Sequence, residues 1–403
     1  MAKFNSLGSN FSLSLGWQVL TTKGIGAEKK LFTQVCRLAG NSQGKLQVSY
    51  FYKGREALLA ALQAWHLPAA SRVGVVGFTC VAVVQAVQKA GLCAVLLPID
   101  KQTLNLDIKC LKKNLSVLII QNTLGMPQPH IHQVIKFCKQ NKIILIEDLA
   151  HSVGAIYDNG MVAGQIGSEV IYSSSQDKLL DTVSGGIWVS SGLNSKNFAL
   201  TKVPFCQQSK DRLYPLLTWL IRHGYAWGWG KCLHFLLKKM NLLSQPMLYQ
   251  HQGELSLLPA WQRQFLSTQI KALPKELTRR RRLLLCYFKN LPATCLVWHL
   301  TPALLKRMAP LRLPIKVPIN KKKVVIAALK QAGYFCSDTW YESPLAPENY
   351  YALLPRQQEI NLELNQLARL KTFTAQLLNL PLHQEITRDD VKRISQIIQA
   401  ILV

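Results

Sequence analysis

Short apolar runs alternate with amphipathic stretches between about residues 55 and 190. We predict strands at 73–76, 94–97, 117–121, 143–146, 170–173 and 187–189. We predict helices, from apolar residues that recur every three or four positions, at 56–65, 81–90, 106–113 and 131–140. Strands that are apolar throughout and separated by helices indicate a buried, largely parallel sheet with helices on both faces. The pattern therefore predicts an α/β fold, in which a ligand binds beyond the carboxyl ends of the strands.

The pattern changes between about residues 205 and 250, where two short apolar pieces at 213–221 and 232–237 flank a turn rich in tryptophan, tyrosine and glycine. Each piece is too short to span a bilayer. Apolar faces beside aromatic and cationic residues fit a helical hairpin that lies in a membrane surface, with peripheral membrane contact through 213–240. They fit equally well a hairpin that packs on a neighbouring subunit or domain.

After residue 250 the pattern becomes mainly helical. The stretch 258–289 predicts a long helix with four adjacent arginines at 279–282, which point in all directions and are expected to be solvated. The last hundred or so residues combine a strand at 315–318 with helices at 321–332 and 389–401. These elements predict an α+β unit at the end of the chain.

The chain has 403 residues, of which 49% are hydrophobic, so it is long and apolar enough for one large domain and a smaller one. We predict a large domain over 1–250, which includes the apolar and aromatic insertion at 205–250, and a smaller α+β domain over 251–403.

The first residues lack the apolar run of a signal peptide. The ten cysteines form neither a CxxC pair nor a cluster with histidine at metal spacing, which favours a reducing compartment and predicts no metal. We expect a cytoplasmic protein, with contact at the inner membrane face if 213–240 binds lipid.

Basic residues strongly outnumber acidic ones, with 48 Lys and Arg against 21 Asp and Glu and a formal net charge of +27. Such an excess indicates an anionic partner, namely nucleic acid, phospholipid headgroups or a phosphorylated substrate. A general basic bias of the source proteome explains it as well. Because no nucleic-acid-binding motif is recognisable, we expect no nucleic-acid partner.

A single lysine, Lys178, stands among small residues in the sequence SSSQDKLLDTVSGG at 173–186. The serines at 173–175 suit a phosphate, and the glycine pair at 185–186 permits close backbone approach. Asp148 lies at the end of an earlier strand. A lysine, a carboxylate and phosphate-binding hydroxyls together suggest pyridoxal 5′-phosphate (PLP), whose aldehyde bonds to lysine and whose pyridine nitrogen pairs with a carboxylate. The same residues also fit a solvated loop lysine and an aspartate that caps a helix.

Several motifs, in the same order along the chain, resemble those of the DegT/DnrJ/StrS family of PLP-dependent sugar aminotransferases. They are GREALLAAL at 54–62, GFTCVAVVQAVQKAG at 77–91, IIQNTLGMPQPHI at 119–131, ILIEDLAHSVGA at 144–155, the lysine-containing SSSQDKLLDTVSGG, and LNLPLHQEI at 378–386. The resemblance covers most of the chain, and the aspartate motif is its most specific part. It implies a fold type I transferase, with a mainly parallel sheet between helices, a smaller C-terminal α+β domain, and a homodimer with active sites at the interface.

The resemblance also implies which residues hold the reactive part of the cofactor. Lys178 would be the Schiff-base lysine and would carry a proton during the transfer. Asp148 would pair with the pyridinium nitrogen. His151 falls where the family has a glutamine or histidine near the phenolic oxygen, although an ordinary histidine at a helix start fits there too.

The phosphate of the cofactor would be bound at two places. Ser173 resembles the family's phosphate-binding serine. Gly54 and Arg55 lie at the start of a predicted helix, where backbone N–H groups suit a phosphate and the arginine adds a charge-assisted contact.

Two positions depart from the family pattern. Cys80 stands among the cofactor-binding residues where an aromatic ring usually stacks on the pyridine, so that either the thiol packs there or Phe78 takes over. Leu179 replaces an asparagine that in many members reaches the phosphate of the partner subunit. Neither change removes the chemistry of Lys178 and Asp148.

We therefore expect an aminotransferase that moves an amino group, from glutamate by resemblance, to a keto-sugar linked to a nucleotide or a lipid. Surface polysaccharide or secondary-metabolite biosynthesis would use such a reaction. The alternative is a non-catalytic protein of this fold that acts as a membrane-surface or regulatory binding module. Dehydration on the same scaffold is a third reading, in which the lysine is expected to be absent, whereas Lys178 is present.

Overall fold

The computed structural model describes residues 2–24, 26, 28–40, 46–192, 198–245, 255–336, 341–356, 358–360, 365 and 367–402. Its strands are β1 (Lys3–Phe4), β2 (Gln47–Phe51), β3 (Arg72–Val76), β4 (Thr79–Cys80), β5 (Cys93–Leu97), β6 (Val117–Gln121), β7 (Ile144–Asp148), β8 (Glu169–Ser173), β9 (Gly186–Ser190), β10 (Thr201–Lys202), β11 (Ser256–Leu257), β12 (Arg312–Lys316), β13 (Tyr334–Phe335), β14 (Leu345–Ala346) and β15 (Leu377–Pro381). Its helices are α1 (Leu13–Thr21), α2 (Glu28–Leu38), α3 (Gly54–Ala64), α4 (Val81–Lys89), α5 (Ile131–Gln140), α6 (Phe205–Gly224), α7 (Trp229–Lys239), α8 (Ala260–Asn290), α9 (Pro302–Arg307), α10 (Ile319–Gln331), α11 (Ala368–Ala375) and α12 (Arg388–Leu402).

A nine-stranded sheet, in the order β10-β11-β2-β9-β8-β7-β6-β3-β5, forms the centre of the described structure. The strands β8, β7, β6, β3 and β5 are parallel neighbours, whereas β9 runs antiparallel between β8 and β2. Alternate residues of β6 belong to two separate apolar clusters: Leu118 and Ile120 to one, Val117 and Ile119 to the other. Both faces of the sheet are therefore buried, which confirms the predicted α/β fold with a mainly parallel sheet.

The predicted helix at 106–113 is wrong. This segment forms only a short 3-10 turn, Ile108–Cys110. The reason is local hydrogen bonding to side chains, because the Leu106 N–H donates to Oε1 of Gln128 and Oδ1 of Asn105 accepts from the Thr123 N–H. These bonds hold the chain in a loop against the carboxyl end of β6, and such bonds compete with helix formation.

The expectation that the arginines at 279–282 are solvated is confirmed for Arg282, which is exposed, and wrong for Arg280. Arg280 is 2% exposed, and its guanidinium donates to Oε1 of Glu276 at 2.6 Å and to the Leu311 carbonyl oxygen at 2.9 Å. Arg281 donates to the Met308 carbonyl oxygen at 2.8 Å. Because α8 lies between other elements, side chains on two of its faces meet acceptors rather than water. Their charge links α8 to the C-terminal part of the chain.

The predicted apolar pieces at 213–221 and 232–237 form the helical hairpin of α6 and α7. Helix α6 packs along α1 as well as against α7. No helix in the described part of the chain is long and apolar enough to cross a membrane.

Elements from the last third of the chain complete the fold around the sheet. Strand β14 pairs with β4, and β11 pairs with β2 at the edge of the large sheet. Helix α8 packs on both α2 and α12. The boundary between 1–250 and 251–403 stays a prediction.

Candidate functional site

The ends of strands β2, β7 and β8 and the start of β9 meet at one edge of the large sheet. Strand β7 ends at Asp148 and β8 ends at Ser173, which lies opposite Gly186 at the start of the antiparallel β9. The end of β2 leads at the same edge into Gly54, the first residue of α3. These ends surround a cavity of about 290 Å³, a size near the lower end for small-molecule sites.

All seven residues predicted for the site line this cavity. They are Gly54, Arg55, Cys80, Asp148, His151, Ser173 and Lys178. The tertiary structure therefore brings together side chains that are spread over more than a hundred positions of the sequence. Their individual roles toward a cofactor stay predictions, which we take up below.

The geometry of β7 explains why Asp148, and not the neighbouring Glu147, faces the cavity. Successive side chains of a strand point to opposite faces of the sheet. Glu147 is fully buried on the other face and accepts hydrogen bonds from the backbone N–H groups of Gly164, Ile166 and Gly167. Glu147 thus anchors a loop, whereas Asp148 is free to interact with a ligand.

Contacts from distant segments hold the loop that carries Lys178. The side chain of Asn10 donates to the Lys178 carbonyl oxygen and to Oδ2 of Asp181, both at 3.0 Å. Gln262 of α8 donates to the Thr182 carbonyl oxygen at 2.8 Å. The loop is therefore held at the lysine and at the residues that follow it, which positions Lys178 in the wall of the cavity.

Its environment makes the amine of Lys178 easier to deprotonate than that of a solvated lysine. Its side chain is 7% exposed, and burial lowers the pKa of Lys178 below its ordinary value, although Asp148 opposes the shift. A neutral amine carries the lone pair that attacks an aldehyde. The burial and the lowered pKa of Lys178 fit the Schiff-base role predicted for it.

The other end of the cavity is shaped for an anion. The side chain of Ser173 lies close to Gly54, since a Cβ on that glycine would come within 3.1 Å of the Ser173 Oγ. Oγ of Ser173 donates to Oγ of Ser175 at 3.2 Å, and Nη1 of Arg55 donates to Oε1 of Gln85 at 2.7 Å. The N-terminus of α3, two hydroxyls and a guanidinium thus surround this end, and they form a fitting site for a phosphate.

His151 contacts a tyrosine, and nothing in the sequence indicates that this tyrosine belongs to the site. The hydroxyl oxygen of Tyr341 lies 3.1 Å from Nε2 of His151, and the Leu124 N–H lies 3.4 Å from Nδ1. Both rings are buried, with 5% and 2% of their surfaces exposed. Burial, followed by the positive charge of Lys178, lowers the pKa of His151, so the imidazole is neutral and its ring is held by hydrogen bonds.

The structure distinguishes between Cys80 and Phe78, the two residues expected to replace the aromatic ring that usually stacks on the pyridine. Cys80 lines the cavity, whereas Phe78 is fully buried and its ring lies 4.6 Å from that of Tyr341. Phe78 therefore supports Tyr341, and Tyr341 with Tyr350 provides the aromatic lining. Leu179 is buried within the apolar core, so its side chain fills space beside the loop.

Sequence reasoning missed Lys53 and Tyr341. Lys53 lines the cavity beside Gly54 but is only 5% exposed. A signal for Lys53 was present, because a lysine directly before a phosphate-binding helix start adds a cation at that place. Nothing marks Tyr341, which reaches the cavity from a segment almost two hundred residues after His151.

The residues present fit PLP. A cavity bordered by a buried lysine, a carboxylate at a strand end and a phosphate-shaped corner matches the aldehyde, ring nitrogen and phosphate of that cofactor. Within the described residues no group of three histidine, cysteine or acidic side chains is placed to hold a metal ion.

The chain also resembles known proteins over nearly its whole length. The model of the DegT/DnrJ/EryC1/StrS aminotransferase family matches residues 36–214 and 240–399. The E. coli GDP-4-keto-6-deoxy-D-mannose-3-dehydratase with bound hydrated PLP is similar, with a TM-score of 0.68 and 17% identity over 97% of this chain and 98% of that one. Helicobacter pylori PseC, an aminotransferase involved in the biosynthesis of pseudoaminic acid, is similar with a TM-score of 0.65 and 17% identity, over 96% and 95% of the two chains. Identities this low show a shared fold.

Proposed function

Since the chain belongs to the DegT/DnrJ/EryC1/StrS aminotransferase family, we propose that it transfers an amino group from glutamate to a keto-sugar carried by a nucleotide or a lipid. It is a PLP-dependent aminotransferase of fold type I. The observation that carries the proposal is the position of Lys178, buried in a cavity between Asp148 and Ser173 at the ends of adjacent strands. When bound, PLP supplies an aldehyde through which an amino group passes from one substrate to another.

Two residues of the chain, Lys178 and Asp148, would act on the reactive part of the cofactor. Nζ of Lys178, whose pKa is lowered by burial, would hold the cofactor through its aldehyde and, once the substrate's amine has displaced it, would carry the proton that moves during the transfer. The carboxylate of Asp148 is oriented by the Ala150 N–H, which donates to Oδ1 at 3.0 Å. In this position it would stabilise a positive charge on the ring nitrogen of the cofactor.

His151 and Ser173 would orient the cofactor at two further points. Nε2 of His151 shares a proton with the Tyr341 hydroxyl, so the pair can bond a phenolic oxygen. Ser173, with Gly54 and Arg55, would hold the phosphate. Because the surrounding residues are buried, water is largely excluded from the proton transfers at Lys178.

A sugar acceptor is supported by polar groups on the wall near Lys178. Oδ1 of Asp177 is buried without a hydrogen-bond partner among the described residues, although Asp177 lines the cavity. A buried acceptor of this kind is satisfied by a ligand hydroxyl. Of the similar structures, one is named as a dehydratase of a GDP-linked keto-sugar and another as an aminotransferase involved in pseudoaminic acid biosynthesis. Lys178 favours amino transfer over the dehydration named for the first of them.

The first test is the colour and reactivity of the purified protein. We expect the wild type to absorb near the visible range with PLP, and borohydride to fix the cofactor to the chain. The Lys178→Ala variant should bind PLP without a covalent bond, while Lys136→Ala, which removes an exposed lysine on α5, should behave as the wild type. A wild type that takes up no PLP would contradict the proposal and would favour the non-catalytic alternative.

The second test identifies the substrates. Glutamate should change the absorption of the PLP-loaded wild type but not that of Lys178→Ala, and added nucleotide-linked keto-sugars should reverse the change. If another amino acid changes the spectrum and glutamate does not, glutamate is not the amino donor. If glutamate changes the absorption but none of the added keto-sugars reverses the change, the proposal that the acceptor is a keto-sugar would be refuted.

We also propose a homodimer, which rests on the family resemblance. Light scattering of the PLP-loaded protein should give twice the mass of the 45.3 kDa chain. A monomeric mass with full transaminase activity would refute it.

A further inference from the structure

One face of α7 packs on the protein and the opposite face lies in solvent. Gly230 and Leu237, seven residues apart, are buried, whereas Phe235, Leu236 and Met240 are 66%, 52% and 64% exposed. Because residues seven apart share one face of a helix, the exposed residues form a separate outward face. We call Trp229, Cys232, Phe235, Leu236 and Met240 the outer face of the hairpin. Large apolar residues on such a face mark an interaction surface.

The hairpin is held firmly by the rest of the protein. A Cβ on Gly230 would lie 2.3 Å from the Ile221 carbonyl oxygen, so α6 and α7 approach each other too closely for any other residue. From α6, the fully buried Arg222 donates to the carbonyl oxygens of Leu7 and Phe11 and forms an ion pair with Glu385 at 2.9 Å. The outer face is therefore presented on a backbone that these contacts already hold in place, which reduces the ordering cost of binding.

The charge around the outer face has one sign. The stretch 205–245 holds four lysines and two arginines but a single acidic residue, Asp211. Asp211 is fully buried and accepts hydrogen bonds from Tyr52 and Ser244, each at 2.6 Å. Lys231, Lys238 and Lys239 are exposed beside the apolar residues. The hairpin thus exposes no carboxylate to water, and its exposed charged side chains are cations.

This charge pattern distinguishes between two possible occupants. A second copy of the chain, related by two-fold symmetry, would bring the same lysines face to face without an acidic partner. An anionic lipid surface instead offers phosphates for the lysines and acyl chains for the apolar residues. The family model, which matches 36–214 and 240–399, leaves 215–239 unmatched, so the family fold does not require this surface for its own core.

We propose that the hairpin of α6 and α7 binds the surface of an anionic phospholipid bilayer. Trp227, in the turn between the helices, is 82% exposed and adds an aromatic side chain suited to the headgroup region. The segment after α7 returns to the active site, since the Ser244 carbonyl oxygen accepts from Gln176 at 3.0 Å and Gln245 lines the cavity. Binding through the hairpin holds the active site close to the membrane, whichever acceptor it uses.

The experiment is sedimentation of the PLP-loaded protein with vesicles. Vesicles of phosphatidylcholine alone are compared with vesicles that also contain phosphatidylglycerol, at low and high salt. We expect the wild type to bind the anionic vesicles and salt to weaken this binding. The double variant Phe235→Ser/Leu236→Ser and the double variant Lys238→Glu/Lys239→Glu should each bind on the order of tenfold more weakly.

A matched control exists on α10, where Ile319 and Val324 are 54% and 55% exposed. The variant Ile319→Ser/Val324→Ser removes comparable apolar surface and should bind vesicles as the wild type does. Near-visible PLP absorbance and light scattering show that each variant is folded and has the wild-type mass. The proposal is overturned if the wild type binds no vesicle, if the control loses as much binding as the hairpin variants, or if Phe235→Ser/Leu236→Ser changes the mass. The last result would show that the outer face joins copies of the chain. None of these readouts depends on transaminase activity.

Discussion

The hydroxyl oxygen of Tyr341 lies 3.1 Å from Nε2 of His151, although the two residues are 190 positions apart. Tyr341 has a positive φ of 65°, a backbone conformation that is costly for a residue with a side chain. Its ring is supported by Phe78 on one side, and its hydroxyl fixes His151 on another. A strained residue held by two buried partners at a cavity wall indicates that its position matters for the site.

We predict that Tyr341→Phe lowers kcat by roughly threefold to tenfold, because loss of one hydrogen bond leaves the His151 ring less firmly oriented. The affinity for PLP should change little in this variant. Tyr341→Ala, which also removes part of the aromatic wall, should weaken PLP binding as well. Steady-state kinetics and PLP titration measure the two effects. Tyr334→Phe, which breaks a hydrogen bond to Asp390 on another pair of elements, is the control and should leave kcat unchanged.

Lys53 should make the stability of the PLP-free protein depend on pH. Burial, with the nearby charge of Arg55, lowers the pKa of Lys53 to about 7, whereas an unfolded lysine titrates near ~10.4. Between these values the unfolded chain binds more protons, so stability rises with pH, by up to about 1.4 kcal/mol per pH unit. We predict that Lys53→Met is more stable than the wild type below pH ~7 and loses this advantage as pH rises toward ~10. Burial also raises the pKa of the adjacent Glu56, to about 7, whereas an unfolded glutamate titrates near ~4.3, so between these values the contribution of Glu56 to stability falls as the pH rises.

Urea unfolding at several pH values measures this prediction. Lys136→Met, which removes an exposed lysine, should follow the wild-type curve at every pH. If the difference between Lys53→Met and the wild type is constant with pH, Lys53 does not titrate in this window and the prediction is wrong.

Arg222 should be a major contributor to stability. Its guanidinium is fully buried, with two backbone carbonyls and Glu385 as acceptors. Arg222→Leu leaves these acceptors without a donor, and we predict a loss of about 3–5 kcal/mol in the free energy of unfolding. Lys231→Leu, on the same hairpin but exposed, should change stability by less than about 0.5 kcal/mol. Equal urea midpoints for the two variants would contradict the prediction that Arg222 contributes strongly to stability.

Gly185 closes the lysine loop in a conformation that excludes a side chain. Its φ is 154°, and a Cβ there would lie 2.0 Å from Oγ of Ser174. We predict that Gly185→Ala costs more than about 2 kcal/mol of stability and weakens PLP binding, because the loop carrying Lys178 must shift. Gly160→Ala is the matched comparison, since Gly160 also has a positive φ but faces open space, and should cost about 1 kcal/mol from strain alone. Thermal unfolding and PLP titration of both variants decide the question.

Sequence patterning was sufficient for six of the nine described strands of the large sheet, but not for β2, β10 and β11. Apolar runs separated by amphipathic stretches identify parallel strands, and the carboxyl ends of parallel strands must lie at one edge. Asp148 and Ser173 follow directly from this rule, because both end strands of the sheet. Lys178 follows from its place in a loop that leaves the same edge.

Patterning was insufficient wherever a distant residue decides the local environment. A run of arginines is solvated on an isolated helix, but α8 is covered by other elements, so Arg280 is buried with Glu276 and the Leu311 carbonyl oxygen. The segment 106–113 has a helical pattern, but side-chain bonds from Asn105 and Gln128 hold it as a loop.

The sequence by itself therefore determined the α/β fold and the lysine, aspartate and serine of the site, because these depend on short-range periodicity and on strand ends. Only the tertiary structure decided that Tyr341 supplies the aromatic wall, that Phe78 stands behind it, and that one face of α7 remains in solvent. These features depend on contacts between segments far apart in the chain, for which local patterns of hydrophobic and polar residues carry no information.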